Sequence, residues 1–482
     1  MFDLRPVGYV IGLLVAALGG TMLLPMFVDL FDGSEHWTAF FESGVISIMT
    51  GSLIALACAN GVSEKLSLQQ TFLLTTGVWL LLPVFAAIPF ILGETDARVV
   101  DAFFEAMSGL TTTGSTVFSG LDELPRGLLL WRSMLQWFGG VGIIVVAMVF
   151  LPELRVGGMQ IFRSEAFETD GKVLPRAAEI ASRISVIYVA LTLACMLAYL
   201  AVGLNGWEAL NHALTTMSTG GFSTHDASFG TFQGPAEYVA SVFMILASLP
   251  FVRYIQILAG SAKPIFRDSQ VRGYLGVIIA LVIAMTIYRI TVNDDYLEHS
   301  IREALFNVTS IISGTGFASV DYQLWGAFPV VLFFFVGLVG GCAGSTACSV
   351  KIFRYQILFA SIKVQIRKIH APHGIFTPRY DGHTVDESVL SSVMGFFVMF
   401  IVSLGVIAVM LSATGLDFVT SVSGAATAIG NIGPGLGDII GPSGNFAPLN
   451  DPAKWILSFA MLTGRLELMV VLALFTVKFW RT

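Results

Sequence analysis

Long apolar stretches alternate with short polar ones along this chain. About ten apolar runs, centred near residues 18, 49, 81, 140, 193, 246, 281, 340, 401 and 466, reach the ~20 residues that cross a bilayer as a helix. Between them lie four polar stretches of similar texture. They read SGLTTTGSTVFSG (108–120), TTMSTGGFST (215–224), TSIISGTGFAS (309–319) and, more loosely, TAIGNIGPG (427–435). Irregular backbone at membrane depth is tolerated only where protein buries it or water reaches it, so four such stretches call for a common reason.

Aligned on one glycine each (Gly114, Gly221, Gly316 and Gly433), the stretches behave as copies of one unit. Thirteen residues earlier stand Asp101, Glu208, Glu303 and Thr420, followed by Ala102, Ala209, Ala304 and Ser421. Six residues before the glycine stand Ser108, Thr215, Ser310 and Thr427. An acid or threonine followed by a short amphipathic run predicts a helix of about three turns with an acidic N-terminus. Each copy therefore reads span, short helix, glycine loop, span. Two spans per copy is an even number, so all four copies run parallel around an axis along the membrane normal. An odd number would give inverted symmetry.

The expected fold is all-α and polytopic, with four span–pore-helix–loop–span repeats around a central pore. An N-terminal two-span extension (1–66) precedes repeats at 67–155, 156–262, 263–380 and 381–482. The loops then line a water-filled pore, where their carbonyl oxygens replace the hydration shell of a cation. Glycine suits the closest approach because it accepts positive φ and adds no side chain to the lumen. The short helices direct their partially negative C-terminal ends at the ion.

Composition supports a membrane class: 55% of the 482 residues are hydrophobic and 12% charged, against about 25% charged in soluble domains. Mean hydropathy is +0.79. The first apolar run is long and lacks a small-x-small cleavage pattern, so no cleavable signal peptide is expected. Cys58, Cys195, Cys342 and Cys348 lie in or beside apolar runs and are expected to act as small buried hydrophobes rather than as disulfides or a zinc site. The net charge of −7 says little about partners, and its distribution says more.

Basic residues mark the cytoplasmic side. With the N-terminus inside, Arg155, Arg163, Lys172, Arg176 and Arg183 fall on that side, as do Lys263, Arg267 and Arg272. So do Lys351, Arg354, Lys363, Arg367, Lys368 and Arg379, together with Arg5, Lys65, Lys478 and Arg481. The opposite loops are left with Arg98, Arg126, Arg132 and Arg302. Both termini are expected in the cytoplasm and all four polar stretches on the outer side. The basic segments 152–183 and 351–379 are the expected docking surfaces for a cytoplasmic partner. No nucleic-acid partner is expected.

TTTGST, STGGFST, SGTGFAS and GNIGPGLG in this order, with GLVGGCAGSTACSVKIFRYQ (337–356) and LTGRLELM (462–469), resemble the TrkH/KtrB/HKT superfamily of potassium transporters, most closely its bacterial TrkH branch. The similarity covers the whole chain. It implies K⁺ as the transported ion, a homodimer in the bacterial inner membrane, and a cytoplasmic TrkA-type regulatory subunit that carries the nucleotide. It places the filter at Thr112, Thr113, Gly114, Thr219, Gly220, Gly221, Thr315, Gly316, Asn431, Ile432 and Gly433. Each loop keeps one matched glycine where potassium channels use a longer TVGYG loop, so selectivity is expected to be less strict. Pro434 stands where two other loops have Phe222 and Phe317, which predicts a different course for the fourth.

From Phe328 to Ile362 the third repeat's second span runs too long for one straight crossing. Its small-residue middle reads either as close helix packing or as a break carrying a mobile loop below the filter. The resemblance implies the second, with gating at Gly340, Gly341, Gly344, Ser345, Lys351 and Arg465. Lys351 is placed to snorkel to the cytoplasm or to face the lumen. Arg465 lies midway along the last span, where an intramembrane arginine faces a pore or a partner. Glu467, two residues on, points elsewhere on a helix.

GPGLGD (433–438) follows no strand and opens no dinucleotide-binding unit. His370 and His373 belong to the basic segment and are expected to be solvated, and Asn307-Val-Thr falls in a pore helix. Sequence therefore predicts a gated potassium conductor without covalent chemistry. The alternatives are a sodium-coupled or sodium-permeable relative and, in a different class, a membrane scaffold or enzyme without ion flux.

Overall fold

The computed structural model describes residues 3–61, 66–150, 157–162 and 173–481. Among these, seven helices are long and apolar enough to cross a membrane, and an eighth, Pro235–Ala247 with Phe251–Leu258, is bent by 88°. Two further crossings are interrupted. One is Ala327–Gly337 followed by Ile352–His370, and the other is Asp451–Arg465 followed by Met469–Leu474. The ten apolar runs thus appear as seven continuous helices and three broken ones; the break near 340 is one of the two readings offered above, whereas continuous spans were expected near 246 and 466.

The N-terminal pair, Arg5–Thr21 and Trp37–Cys58, packs through small residues. A methyl group added to Gly12 would press on the Ala55 amide nitrogen, and one on Gly44 would lie 3.2 Å from the Gly19 carbonyl. Close backbone approach of this kind holds helices together where lipid removes the hydrophobic drive. The pair is tied to the first repeat by Asp29, whose carboxylate accepts from the Gly127 amide and lies 2.8 Å from His36 Nδ1.

Four units follow. Their entry helices are Leu68–Ala86, Val173–Ala201, Ser269–Val292 and Glu387–Ala413. Their pore helices are Val99–Leu110, Gly206–Met217, Leu297–Ser313 and Phe418–Gly430. Their exit helices begin with Arg126–Val145, Pro235–Ala247, Ala327–Gly337 and Asp451–Arg465. Each exit helix packs against the pore helix of the next unit, and the fourth returns to the first. The units close a ring of four.

The acidic N-terminus expected of the pore helices holds in the first two, which carry Asp101 and Glu208 in their first turns, and is shifted in the other two. Asn205 caps the second helix and Asp417 the fourth. The third starts at Leu297, so Glu303 sits in its second turn, paired with Arg289 and His299. Asp101 pairs with Lys454 at 2.6 Å and with Arg98 at 2.8 Å. Those acids serve ion pairs between elements rather than capping. Arg132, assigned above to an outer loop, lies inside an exit helix, 1% exposed.

Candidate functional site

The four loops begin with the same backbone event. In each, the residue two before the aligned glycine is left-handed: Thr112 (φ 52°), Thr219 (φ 50°), Gly314 (φ 74°) and Asn431 (φ 50°). The next residue's N–H returns to the carbonyl six before the glycine: Thr113 to Ser108 at 2.9 Å, Gly220 to Thr215 at 2.9 Å, Thr315 to Ser310 at 2.9 Å and Ile432 to Thr427 at 3.1 Å. The left-handed residues bond in turn to Gly109, Thr216, Ile311 and Ala428. Together these make a complete Schellman ending four times over. Only the third copy spends a glycine there. A non-glycine residue at this conformation costs about 1–2 kcal/mol, strain that collects at functional sites.

The aligned glycines also have positive φ, at 86°, 77°, 79° and 106°. The residue between the two left-handed positions does not. Alternating handedness turns successive carbonyls toward one side. A methyl group on Gly114 would strike the Gly220 carbonyl, one on Gly221 the Thr315 carbonyl, and one on Gly316 the Ile432 carbonyl. One on Gly433 would come within 3.0 Å of the Thr113 carbonyl. The contacts run from loop one to two, three, four and back to one. The fourth loop keeps this geometry through its glycine despite Pro434. All four glycines border a cavity of about 500 Å³, with Asp226, Asp438 and His225 at its sides. Beside it His225 holds the Asp122 carboxyl below its ordinary value by hydrogen bonding.

Buried side chains brace the loops from behind. Glu105 accepts from the Val117 amide at 2.9 Å and pairs with Arg132 at 2.8 Å. Arg132 donates to the Ser223 carbonyl at 2.9 Å and lies 4.2 Å from the Phe222 ring centre, so one guanidinium joins loops one and two. Asn431 donates to Thr113 Oγ1 at 2.8 Å and to the Met461 carbonyl at 3.0 Å. Ser115 donates to the Gly433 carbonyl at 2.8 Å.

Beneath the ring, residues 338–351 form a loop within the third exit span. Its ends pair as two short parallel strands, Val339–Gly340 and Val350–Lys351. The loop fills the break in the second exit span. Cys342 and Thr346 donate backbone N–H groups to the Ser248 and Ala247 carbonyls at 3.0 and 3.2 Å, and Phe251 N–H donates to Gly344 at 2.9 Å. Each break satisfies the orphan groups of the other, as helix ends inside a membrane require. Ala343 N–H donates to Gln270 Oε1 at 2.8 Å, and the Ser345 hydroxyl caps the Cys342 carbonyl at 2.7 Å. A methyl group on Gly340 or Gly341 would strike the loop's own Cys348 carbonyl or Ala347 side chain.

Cys348 touches two of the ring's loops. Its Sγ lies 3.8 Å from Thr112 Oγ1, and its Cβ would be 3.4 Å from a methyl on Gly314. These residues belong to loops one and three, opposite one another, so Cys348 lies across the ring from below. Arg465 binds the Cys348 sulfur, the Thr346 carbonyl at 3.2 Å and, from the first exit helix, the Gly139 carbonyl at 3.3 Å. The last span stops its first helix at Arg465 rather than running through it. Glu467 (φ 61°) turns away to pair with Arg354. Lys351 neither snorkels outward nor stands free; it is buried and donates to the Ala347 carbonyl at 2.5 Å.

The structure thus brings together every filter and loop residue singled out above. Sequence reading passed over Gly314, Gln136, Arg132 with Glu105, and Cys348. A polar residue inside an apolar helix flags Gln136 and Arg132, whereas no local signal marks Cys348. Of the docking surfaces, Lys363, Arg367, Lys368 and Arg379 are exposed, while Lys351 and Arg354 point inward. Within 152–183, Arg155, Arg163 and Lys172 lie outside the described residues, as does Lys65.

Residues 36–481 match the model of the family described as TrkH, cation transport protein. The chain is 40% identical over 478 residues to the Trk system potassium uptake protein TrkI of Halomonas elongata, covering 99% of this chain and 97% of that protein. It is 36% identical over 488 residues to the Trk system potassium uptake protein TrkH of Escherichia coli, covering 99% of each. The crystal structure of the potassium transporter TrkH from Vibrio parahaemolyticus superposes with a TM-score of 0.92 at 32% identity, over the full length of both chains.

Proposed function

The chain belongs to the TrkH family of cation transport proteins, and on that premise we propose that it takes up potassium through the ring of four loops. Closure of that ring, glycine against carbonyl from each loop to the next, is the observation that carries this reading. The residues Thr112, Thr113, Gly114, Thr219, Gly220, Gly221, Thr315, Gly316, Asn431, Ile432 and Gly433 make the filter, joined by Gly314. A K⁺ ion arriving from the 500 Å³ outer cavity exchanges hydration water for backbone oxygens. Four helix C-termini lead into the ring and add a negative field without a fixed carboxylate. The ion moves down its electrochemical gradient, and the chain performs no covalent chemistry and carries no organic cofactor.

Gating belongs to the loop with Gly340, Gly341, Gly344, Ser345 and Lys351, pinned by Arg465. With Cys348 against Thr112, the loop obstructs the path directly below the filter. Opening requires its withdrawal, which frees the bonds it makes across the second exit span. A nucleotide-binding regulatory subunit docks on the exposed basic face at Lys363, Arg367, Lys368 and Arg379, in a homodimer in the bacterial inner membrane with both termini cytoplasmic. The test is rubidium and sodium uptake by purified protein in liposomes. Rubidium enters faster than sodium in the wild type, and Gly316→Ser brings the two rates together. Equal rates in the wild type would overturn the potassium assignment, and an unchanged ratio in Gly316→Ser removes the third loop from the filter.

A further inference from the structure

Gln136 sits in the middle of the first exit helix, fully buried. A buried carboxamide without partners costs several kcal/mol, and this one finds its partners on the neighbouring unit's filter loop. Its Nε2 donates to the Gly220 carbonyl at 2.6 Å, and its Oε1 accepts the Phe222 N–H at 3.0 Å. The two bonds fall on either side of Gly221. One side chain therefore holds the filter backbone before and after the aligned glycine of the second loop.

Among the described residues, no side chain braces the other three loops on both sides of the aligned glycine. Counting eleven residues into each exit helix gives Gln136, Ile245, Gly337 and Met461. The residue before the aligned glycine is Thr113, Gly220, Thr315 or Ile432. Only the second loop has no side chain there, and a methyl on Gly220 would overlap the Gln136 carboxamide. The fourth loop shows the exchange in reverse: Ile432 reaches toward Gly337, where an added methyl would meet its Cδ1 at 2.9 Å. Gly220 and Gln136 thus form a matched pair, small residue on the loop and amide on the helix. It occupies the place that Ile432 and Gly337 fill with hydrocarbon.

We infer that Gln136 is a specificity-determining positioning residue, which clamps the second loop so that the ring cannot contract around a smaller cation. The inference rests on the potassium-filter reading above. A carbonyl oxygen that gives one lone pair to the Gln136 amide is drawn toward the helix and keeps its distance from the axis. A dehydrated K⁺ is satisfied at that distance, whereas Na⁺ requires the oxygens to move inward. Without the clamp the second loop follows the smaller ion.

The experiment measures initial rubidium and sodium uptake in liposomes for the wild type, Gln136→Met, Gln136→Leu and Leu128→Ala. Gln136→Met keeps the length and apolar packing of the chain but loses both bonds. Its rubidium-to-sodium ratio falls about two- to tenfold, the factor one net hydrogen bond represents. Gln136→Leu likewise loses both the donor to Gly220 and the acceptor for Phe222. It shows the same fall, and it reads the effect if the methionine variant does not fold. Leu128→Ala, buried on the same helix but without a polar group to hold a loop, lowers the thermal midpoint with the ratio unchanged. A wild-type ratio in either folded Gln136 variant overturns the inference, as does an equal fall in Leu128→Ala. A wild type without rubidium preference would instead defeat the underlying filter reading.

Discussion

Arg465 is held by carbonyl oxygens and a thiol, and no carboxylate pairs with it among the described residues. An intramembrane arginine costs roughly 2.5–3.5 kcal/mol on insertion scales, so its three acceptors matter both to its own placement and to the loop it pins. Arg465→Ala removes the tether between loop and exit helices. Basal rubidium flux is expected to rise on the order of tenfold, as loss of a charge-assisted hydrogen bond implies. Unchanged flux and unchanged regulation would remove Arg465 from the gate. The residue was legible because a lone cation in an apolar run is conspicuous. Its contact with the small-residue loop was legible with it, but the individual acceptors Thr346, Cys348 and Gly139 were not, since they are ordinary in sequence and meet only through folding. Glu467 shows the limit of local reasoning: helical geometry separated it from Arg465, yet the helix ends there and Glu467 finds Arg354 instead.

At the scale of elements, the repeated unit was readable down to single columns. Ser108, Thr215, Ser310 and Thr427 align because each supplies the carbonyl that ends its pore helix. The left-handed turn that follows was hidden, because threonine and asparagine take the place that glycine would advertise. Of the two breaks, the one at 338–351 was one reading of an overlong span, and the one at Ser248–Leu249–Pro250 was hidden. Ser248–Leu249–Pro250 and the 338–351 loop satisfy each other's backbone groups, so neither interruption makes sense without its partner. The Glu105–Arg132 pair joins elements in the same way, across loops one and two. Arg132→Met leaves Glu105 buried and uncompensated, which costs about 3–5 kcal/mol. Thermal unfolding in detergent should show a clearly lowered midpoint, and a midpoint within a degree of wild type would contradict the bracing role.

For the whole molecule, four units close into a ring, and the side that carries the 338–351 loop is asymmetric. Among the described residues, the third unit extends a long basic helix, Ile352–His370, beyond the 338–351 loop. A regulator seated on Lys363, Arg367 and Lys368 has a direct lever on that loop through the same helix. Reversing these three charges to glutamate should abolish co-purification with the regulatory subunit while leaving the detergent-extracted transporter monodisperse. Persistent co-purification would move the docking face elsewhere. Hydrophobic length, the spacing of glycines and the placement of basic residues are properties of the chain itself. From them follow the spans, the fourfold repetition and the expected orientation, because bilayer thickness and backbone chemistry act on each segment separately. Which carbonyl faces which glycine, which thiol lies under the ring and which amide braces a neighbour's loop depend on contacts between segments hundreds of residues apart. Packing of the closed ring decides those, since only there do backbone groups left unsatisfied by one unit meet the side chains of the next.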